Sequence, residues 1–244
     1  MMKDKFRAFA IHLAISITII GGLSILFLAV YYPDPIDQLE GVERIIFILA
    51  CVDIVIGPML TFILYRKGKW GLKFDLFTIG ILQAAALIYG MTSIFLSRPV
   101  HMVFSIDRFV LVSYSDINID ELIINDLKLV VMEPLSIVAA EFGNEEEKQK
   151  VMMETVFEGK KDLAFRPEYY IPFENVTETL KTKANPIRKI LTKELRERHK
   201  SLLAKYKIED LGYFPVVGKK KDMAVIIDRN TGDIVDYFDV DPWQ

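Results

Sequence analysis

Cysteine and histidine are both scarce. Cys51 is the only cysteine in 244 residues, so no disulfide framework and no Cys-based metal site can form. The three histidines, His12, His101 and His199, show no metal-ligand spacing. No serine sits in a Gly-x-Ser-x-Gly elbow, no glycine loop is built to cradle phosphate, and His-Glu-x-x-His is missing. Positive charge is not in excess either. There are 30 Lys or Arg against 33 Asp or Glu, which argues against a nucleic-acid partner. Acids are plentiful, but a solvated acidic surface explains them without a catalytic pair. The run from Asp228 to Asp233 is too short for a calcium loop and lacks the later Glu, so it reads as a hairpin turn. Repeats and low-complexity tracts are absent. These gaps point away from an enzyme and imply no cofactor and no metal.

Hydrophobic residues reach 52% while 26% are charged, and the two classes are segregated. Up to Ser97 there are eight Lys or Arg against seven Asp or Glu, and from Arg98 onward 22 against 26. The chain is therefore divided into a membrane module, 1–97, and a polar domain, 98–244. Three apolar runs occupy the module: Phe9 to Tyr32, Ile45 to Tyr65 and Leu76 to Leu96. About 20 residues at about 1.5 Å each cross the hydrocarbon layer. Such spans must close their backbone hydrogen bonds internally, so all three are read as transmembrane helices. The first is longer than a signal-peptide core and Tyr31-Tyr32-Pro33 offers no small-residue cleavage site, so it is read as an uncleaved anchor. Lys3, Lys5 and Arg7 precede the first helix, and Arg66, Lys67, Lys69 and Lys73 fill the second loop. The first loop carries Asp34, Asp37, Glu40 and Glu43 against Arg44 alone. The positive-inside rule then places the N-terminus in the cytoplasm and the C-terminal domain outside it.

Asp53 lies near the middle of the second run, where a charge is costly and normally faces a partner or a cavity. Gln83 lies at a similar depth in the third and is expected to hydrogen-bond to it. Two roles stay open: a site for an ion or a partner helix, or a protonated Asp53 that fixes the bundle through Gln83. A single acid with no relay favours the bundle or the partner helix over transport. Gly57-Pro58 is expected to free backbone groups one turn later and to kink the helix. His12, about one turn inside the edge, reads as an interfacial polar residue.

After Arg98 the pattern is that of an α+β domain. Val100–Ser105 and Phe109–Tyr114 predict a hairpin around Ile106-Asp107-Arg108, and Leu127–Met132 predicts another strand. Asn144 predicts an N-cap for a helix to about Val156, with Glu145 to Glu147 in its first turn. Asn185-Pro186 predicts the start of one long helix to about Tyr206, Pro at its first position. Ile187, Ile190, Leu191, Leu195, Leu202, Leu203 and Tyr206 form its buried stripe. Strands Tyr213–Val217, Met223–Ile227 and Ile234–Phe238 end the chain.

Two stretches are candidates for binding a partner. Phe165 to Phe173, with Tyr169, Tyr170 and Phe173, is aromatic and broken by prolines, which suits an edge strand that a partner's strand can join. The weightier alternative is that these rings cover the domain's own core. Between Arg188 and Lys207 lie eight Lys or Arg against Glu194 and Glu197. Lys193, Arg196 and Lys200 could face acidic headgroups or an acidic partner. A solvated helix face explains them equally well.

Several stretches together resemble the type IV pilin accessory proteins of the TfpX/TfpZ kind. They are Tyr31-Tyr32-Pro33, the run from Val52 to Pro58, Leu72 to Leu76 leading into Leu82 to Gly90, and Arg98-Pro99-Val100 with Asp107-Arg108-Phe109. Near the end come Leu211 to Gly218 and Asp241-Pro242-Trp243. The resemblance touches all three apolar runs and both ends of the chain. It implies a bacterial inner-membrane protein with a periplasmic domain, chaperone-like toward a cognate type IV major pilin, and it brings no catalytic residues. Two other classes remain: a membrane-anchored enzyme built on Asp53 and outer acids, and a ligand sensor.

Overall fold

The computed structural model describes residues 2–117 and 135–243. It falls into two compact units. One comprises Met1–Asp37 with Gly41–Arg98, the other Gln38–Glu40 with Pro99–Gln244.

The first unit holds three helices long and apolar enough to cross a membrane, Met2–Tyr31, Glu43–Leu64 and Leu72–Leu96. The second helix packs against both the first and the third and is the most enclosed, with 28% of its apolar window buried against 11% and 17%. Its middle is not α-helical: Cys51–Ile56 forms a π-helical turn. Pro58 has no N–H to give to the carbonyl four residues back. The backbone answers before the proline, with the Gly57 N–H bonding five residues back to Val52 O. The disturbance thus lies before Gly57-Pro58 and not the expected one turn after it. That turn carries Asp53, and π-turns within α-helices recur at functional positions.

At the end where the first helix stops and the third runs into the head, the bundle is closed. Ile20, Tyr32, Val42, Leu49 and Ile94 form a buried cluster. The Tyr32 hydroxyl donates to Ile94 O at 2.9 Å, and the Arg98 guanidinium lies 3.9 Å from the Phe95 ring. Between the second and third helices two glycines leave room for a side chain of the facing helix. A Cβ on Gly57 would fall 1.9 Å from Gln83 Nε2, and one on Gly90 would fall 2.2 Å from Leu49 Cδ2. Lipid gives helices no hydrophobic reason to associate, so close packing and hydrogen bonds of this kind hold such bundles.

The second unit, the head, is an α+β domain built on a mixed sheet. Its strands are β1 (Pro99–Ser105), β2 (Arg108–Ser113), β3 (Ser136–Ala140), β4 (Tyr170–Pro172), β5 (Asn185–Pro186), β6 (Leu211–Val217), β7 (Asp222–Asp228) and β8 (Ile234–Phe238). They are ordered β4-β3-β1-β2-β6-β7-β8, with β5 beside β6. The β1–β3 and β2–β6 pairs are parallel and the rest antiparallel. β1 is buried along its whole length, so successive side chains on both faces are covered. The first hairpin turns in two residues rather than three, since Ser105 already faces Arg108. That tight turn holds Ile106 at φ 61°, a costly conformation for a β-branched residue. The Leu127–Met132 strand lies outside the described residues.

The helix Glu145–Phe157 is capped as expected, with Asn144 Oδ1 accepting from the Glu147 N–H at 2.9 Å. The long helix from Asn185 to Tyr206 does not form. Asn185-Pro186 pairs as β5 with Gly212 and Tyr213. A 3₁₀ turn at Ile187–Lys189 follows, then two short helices, Lys193–Arg198 and Lys200–Lys205. Thr192 starts the first by accepting from the Leu195 N–H, and His199, at φ −105° and ψ 31°, breaks the path between them. The apolar stripe nonetheless does what its spacing implied. Ile187, Ile190, Leu191 and Leu195 are buried against β6, β7 and β8, with Leu202, Leu203 and Tyr206 packed alongside. Asp228–Asp233 is a hairpin turn in which Asp228 Oδ1 accepts from the Asn230 N–H and Gly232 takes φ 86°.

Gln38–Glu40, from the loop between the first two long helices, belongs to the head. Leu39 is fully buried, and its carbonyl accepts from the Lys220 N–H at 2.8 Å. Gly218 is required there, since a Cβ would meet Leu39 O at 2.5 Å.

Candidate partner-binding site

Asp53 and Gln83 are brought together. Gln83 Nε2 donates to Asp53 Oδ1 at 3.2 Å and to the Asp53 carbonyl at 3.3 Å. Asp53 is 4% exposed. Its Oδ2 and the Gln83 Oε1 are buried without a hydrogen-bond partner. A second polar contact joins the first helix to the second, where His12 Nδ1 and Thr61 Oγ1 share a hydrogen bond of 2.6 Å. His12 is therefore part of the bundle's framework and not merely an interfacial residue. Phe9 also meets Phe62 edge-on, with centroids 6.1 Å apart.

Both contacts run through the second helix, and the first and third helices leave a groove between them. A hollow of about 220 Å³ has Asp53 and Gln83 on its walls, with Ser16 and Ile20 of the first helix and Gly80 and Ala84 of the third. It adjoins a larger hollow of about 670 Å³ that shares His12, Ile15 and Gly80 and reaches Arg7 and Lys67. The sequence reading missed this groove. The signal for it was the i, i+4 pair of small residues, Gly80 and Ala84, flanking Gln83.

The aromatic candidates of the head are placed mostly inward. Tyr170 is buried, donates through its hydroxyl to Ala164 O at 2.7 Å, and meets the His101 ring edge-on at 5.5 Å. Burial pushes its phenol well above the ordinary value. Tyr169 is half-buried beside Phe142, and Phe173 half-buried beside Phe109. β4 does end the sheet as an edge strand among the described residues, but it is three residues long and contains Pro172, a poor template for a partner's strand.

Lys193, Arg196 and Lys200 are exposed but split over two short helices, so no continuous basic face runs along one helix. Neighbouring charges are paired locally, Arg198 with Glu194 and Arg188 with Glu209. His101 is 2% exposed, with Nδ1 bonded to Ser136 Oγ at 2.6 Å, and burial lowers its pKa to about 4. Glu40, beside Lys219, has its pKa raised by burial. Among the described residues no cluster of His, Cys, Asp or Glu could hold a metal.

Most residues that carry the sequence resemblance make contacts within their own unit. Tyr31 and Tyr32 meet Phe95 and Ile94, and Gly57 and Gly90 are the close approaches of the second and third helices. In the head, the Arg108 guanidinium covers the Trp243 ring at 4.7 Å, and Trp243 Nε1 donates to Asp222 at 2.7 Å.

No family model matches the sequence, and no solved structure matches it. Curated relatives do. A fimbrial assembly protein of Dichelobacter nodosus, serogroup I, is 29% identical over 245 residues, covering 94% of this chain and 95% of the relative. The serogroup E1 protein matches to the same extent. A third, from serogroups C1 and C2, is 39% identical over 129 residues, which is 50% of this chain and 98% of that relative. The chain belongs to the family of these fimbrial assembly proteins.

Proposed function

We propose that this protein is a chaperone-like accessory factor of type IV pilus biogenesis, of the TfpX/TfpZ kind, that binds a cognate major pilin and supports its stability or its assembly into pili. The observation that carries this reading is the match to fimbrial assembly proteins along 94% of the chain. The architecture supports it. A pilin awaiting assembly presents an apolar helix in the bilayer and a globular part outside it, and this chain has a counterpart for each. The charge pattern supports a bacterial inner-membrane location with a cytoplasmic N-terminus and a periplasmic head. Binding is supported by an open groove walled by small residues, with two buried polar atoms on its walls that lack a partner.

The full-length protein, affinity-tagged and purified in detergent from cells expressing the cognate pilin, should retain that pilin. Purification without pilin, from membranes where pilin is abundant, would contradict the reading. Topology is read separately with a reporter active only outside the cytoplasm. It should work when fused after Gln244 and fail within 66–73.

A further inference from the structure

We propose that the groove between the first and third helices is the seat of a partner's membrane helix, and that this helix carries a hydrogen-bond donor at mid-bilayer depth that meets Asp53 and Gln83. The inference rests on the pilin-binding reading and adds where the pilin's apolar helix lies and what chemistry it presents.

Three independent features converge on one place. The first is a pair of acceptors without partners. Gln83 already gives its Nε2 to Asp53, leaving Asp53 Oδ2 and Gln83 Oε1 buried and unmatched. Both residues stand near the middle of their helices, at a depth where unmatched polar groups are costly. With Asp53 ionised both are acceptors, which an amine, hydroxyl or amide from another chain would satisfy.

The second is a glycine with no internal reason. At Gly57 and Gly90 a Cβ would meet a side chain of the neighbouring helix closer than 3 Å, whereas at Gly80, as at Gly21 and Gly22, it would meet nothing within 4 Å, and of these three only Gly80 lines the hollows. Mid-helix glycine costs up to about 1 kcal/mol relative to alanine. Here it opens the groove wall, with Ala84 one turn on, so that another helix's backbone can come close. The third is shape. The second helix binds both neighbours, through His12–Thr61 on one side and Asp53–Gln83 on the other. This leaves the channel from Arg7 and Lys67 to Asp53 open along the first and third helices.

The experiment uses the full chain in membranes with the cognate pilin co-expressed. A photoreactive side chain is placed at position 80, in the groove, or at position 82, where Leu82 is 63% exposed away from the hollows. Irradiation should join the pilin's membrane helix at position 80 and not at 82. Gly80→Phe, which fills the groove without touching the bundle's own packing, should cut captured pilin roughly tenfold and leave the melting temperature unchanged.

Equal cross-linking from both positions, adducts to lipid or to a second copy alone, or full capture by Gly80→Phe would overturn the groove. In each of those cases capture by the unmodified protein still shows that pilin is bound elsewhere. Failure of the unmodified protein to capture pilin would overturn the functional reading, and the groove's occupant with it.

Discussion

In the head, Gly212 and Gly218 press against Ala184 and Leu39, and the Tyr170 hydroxyl donates to the Ala164 carbonyl. In the bundle, Gly80 faces open space, and Asp53 keeps an oxygen without a partner on the wall of a groove, whereas the unmatched His101 Nε2 of the head lies on the fully buried β1. The same residue types thus serve opposite ends. The head uses its rings and close approaches to complete a sheet core that water would otherwise enter. The bundle, solvated by lipid, gains little from closing every gap and can leave a face open for another helix. The difference teaches that candidate residues must be judged by what remains unmatched around them and not by their type.

The contrast can be sharpened first at His101. If the head's buried polar groups serve only its own fold, His101 will respond to pH as a buried neutral ring. The unfolded chain gains a proton near the ordinary value of 6.5, while the folded head resists it until about 4. The contribution to stability is therefore full above 6.5 and lost as pH falls toward 4, on the order of 3 kcal/mol. Hydrogen-exchange protection of β1 in the full-length protein should fall across that window, and His101→Leu should flatten the slope. An unchanged slope would show that the ring is not held neutral by burial.

A smaller effect is expected at the closed seam of the bundle. Gly90→Leu places a side chain where a Cβ already meets Leu49, and overpacking of this kind costs about 1–3 kcal/mol. Thermal melting in detergent should drop accordingly. Asp53→Leu removes one interhelical hydrogen-bonded pair, worth about 0.6–2 kcal/mol, while Asp53→Asn keeps a hydrogen-bonding group and should lose less. Complete loss of pilin capture in Asp53→Asn at normal protein level would point to a titrating carboxyl instead. The smallest effect belongs to the open side. Gly80→Ala should leave stability unchanged or raise it by less than about 1 kcal/mol. A clear destabilisation there would break the distinction between the two seams.

Much of this was legible in the sequence because it rests on local rules. Three apolar runs of bilayer length, the Asn144 cap and the three terminal strands each follow from composition or spacing over a few residues. Asp53 and Gln83 could be paired from depth alone. The misses share a different cause, which is competition from tertiary contacts. Asn185-Pro186 has the signature of a helix start, but β6 offered it a ladder partner, and the helix behind it broke at His199. Gln38–Glu40 looked like plain acidic loop, and only the folded head shows that Leu39 fills its core. The groove was hidden for the same reason. Gly57, Gly80 and Gly90 look alike in the sequence, and only the neighbours tell the forced glycines from the free one.

We propose that this protein acts on pilin by holding it and not by changing it. The most direct test is the intact mass and the amount of the cognate pilin in membranes of cells with and without this protein. One unchanged pilin mass is expected in both, with less pilin or fewer surface pili when the protein is missing. A pilin whose mass differs between the two, by a modification or a cleavage that depends on this protein, would contradict it.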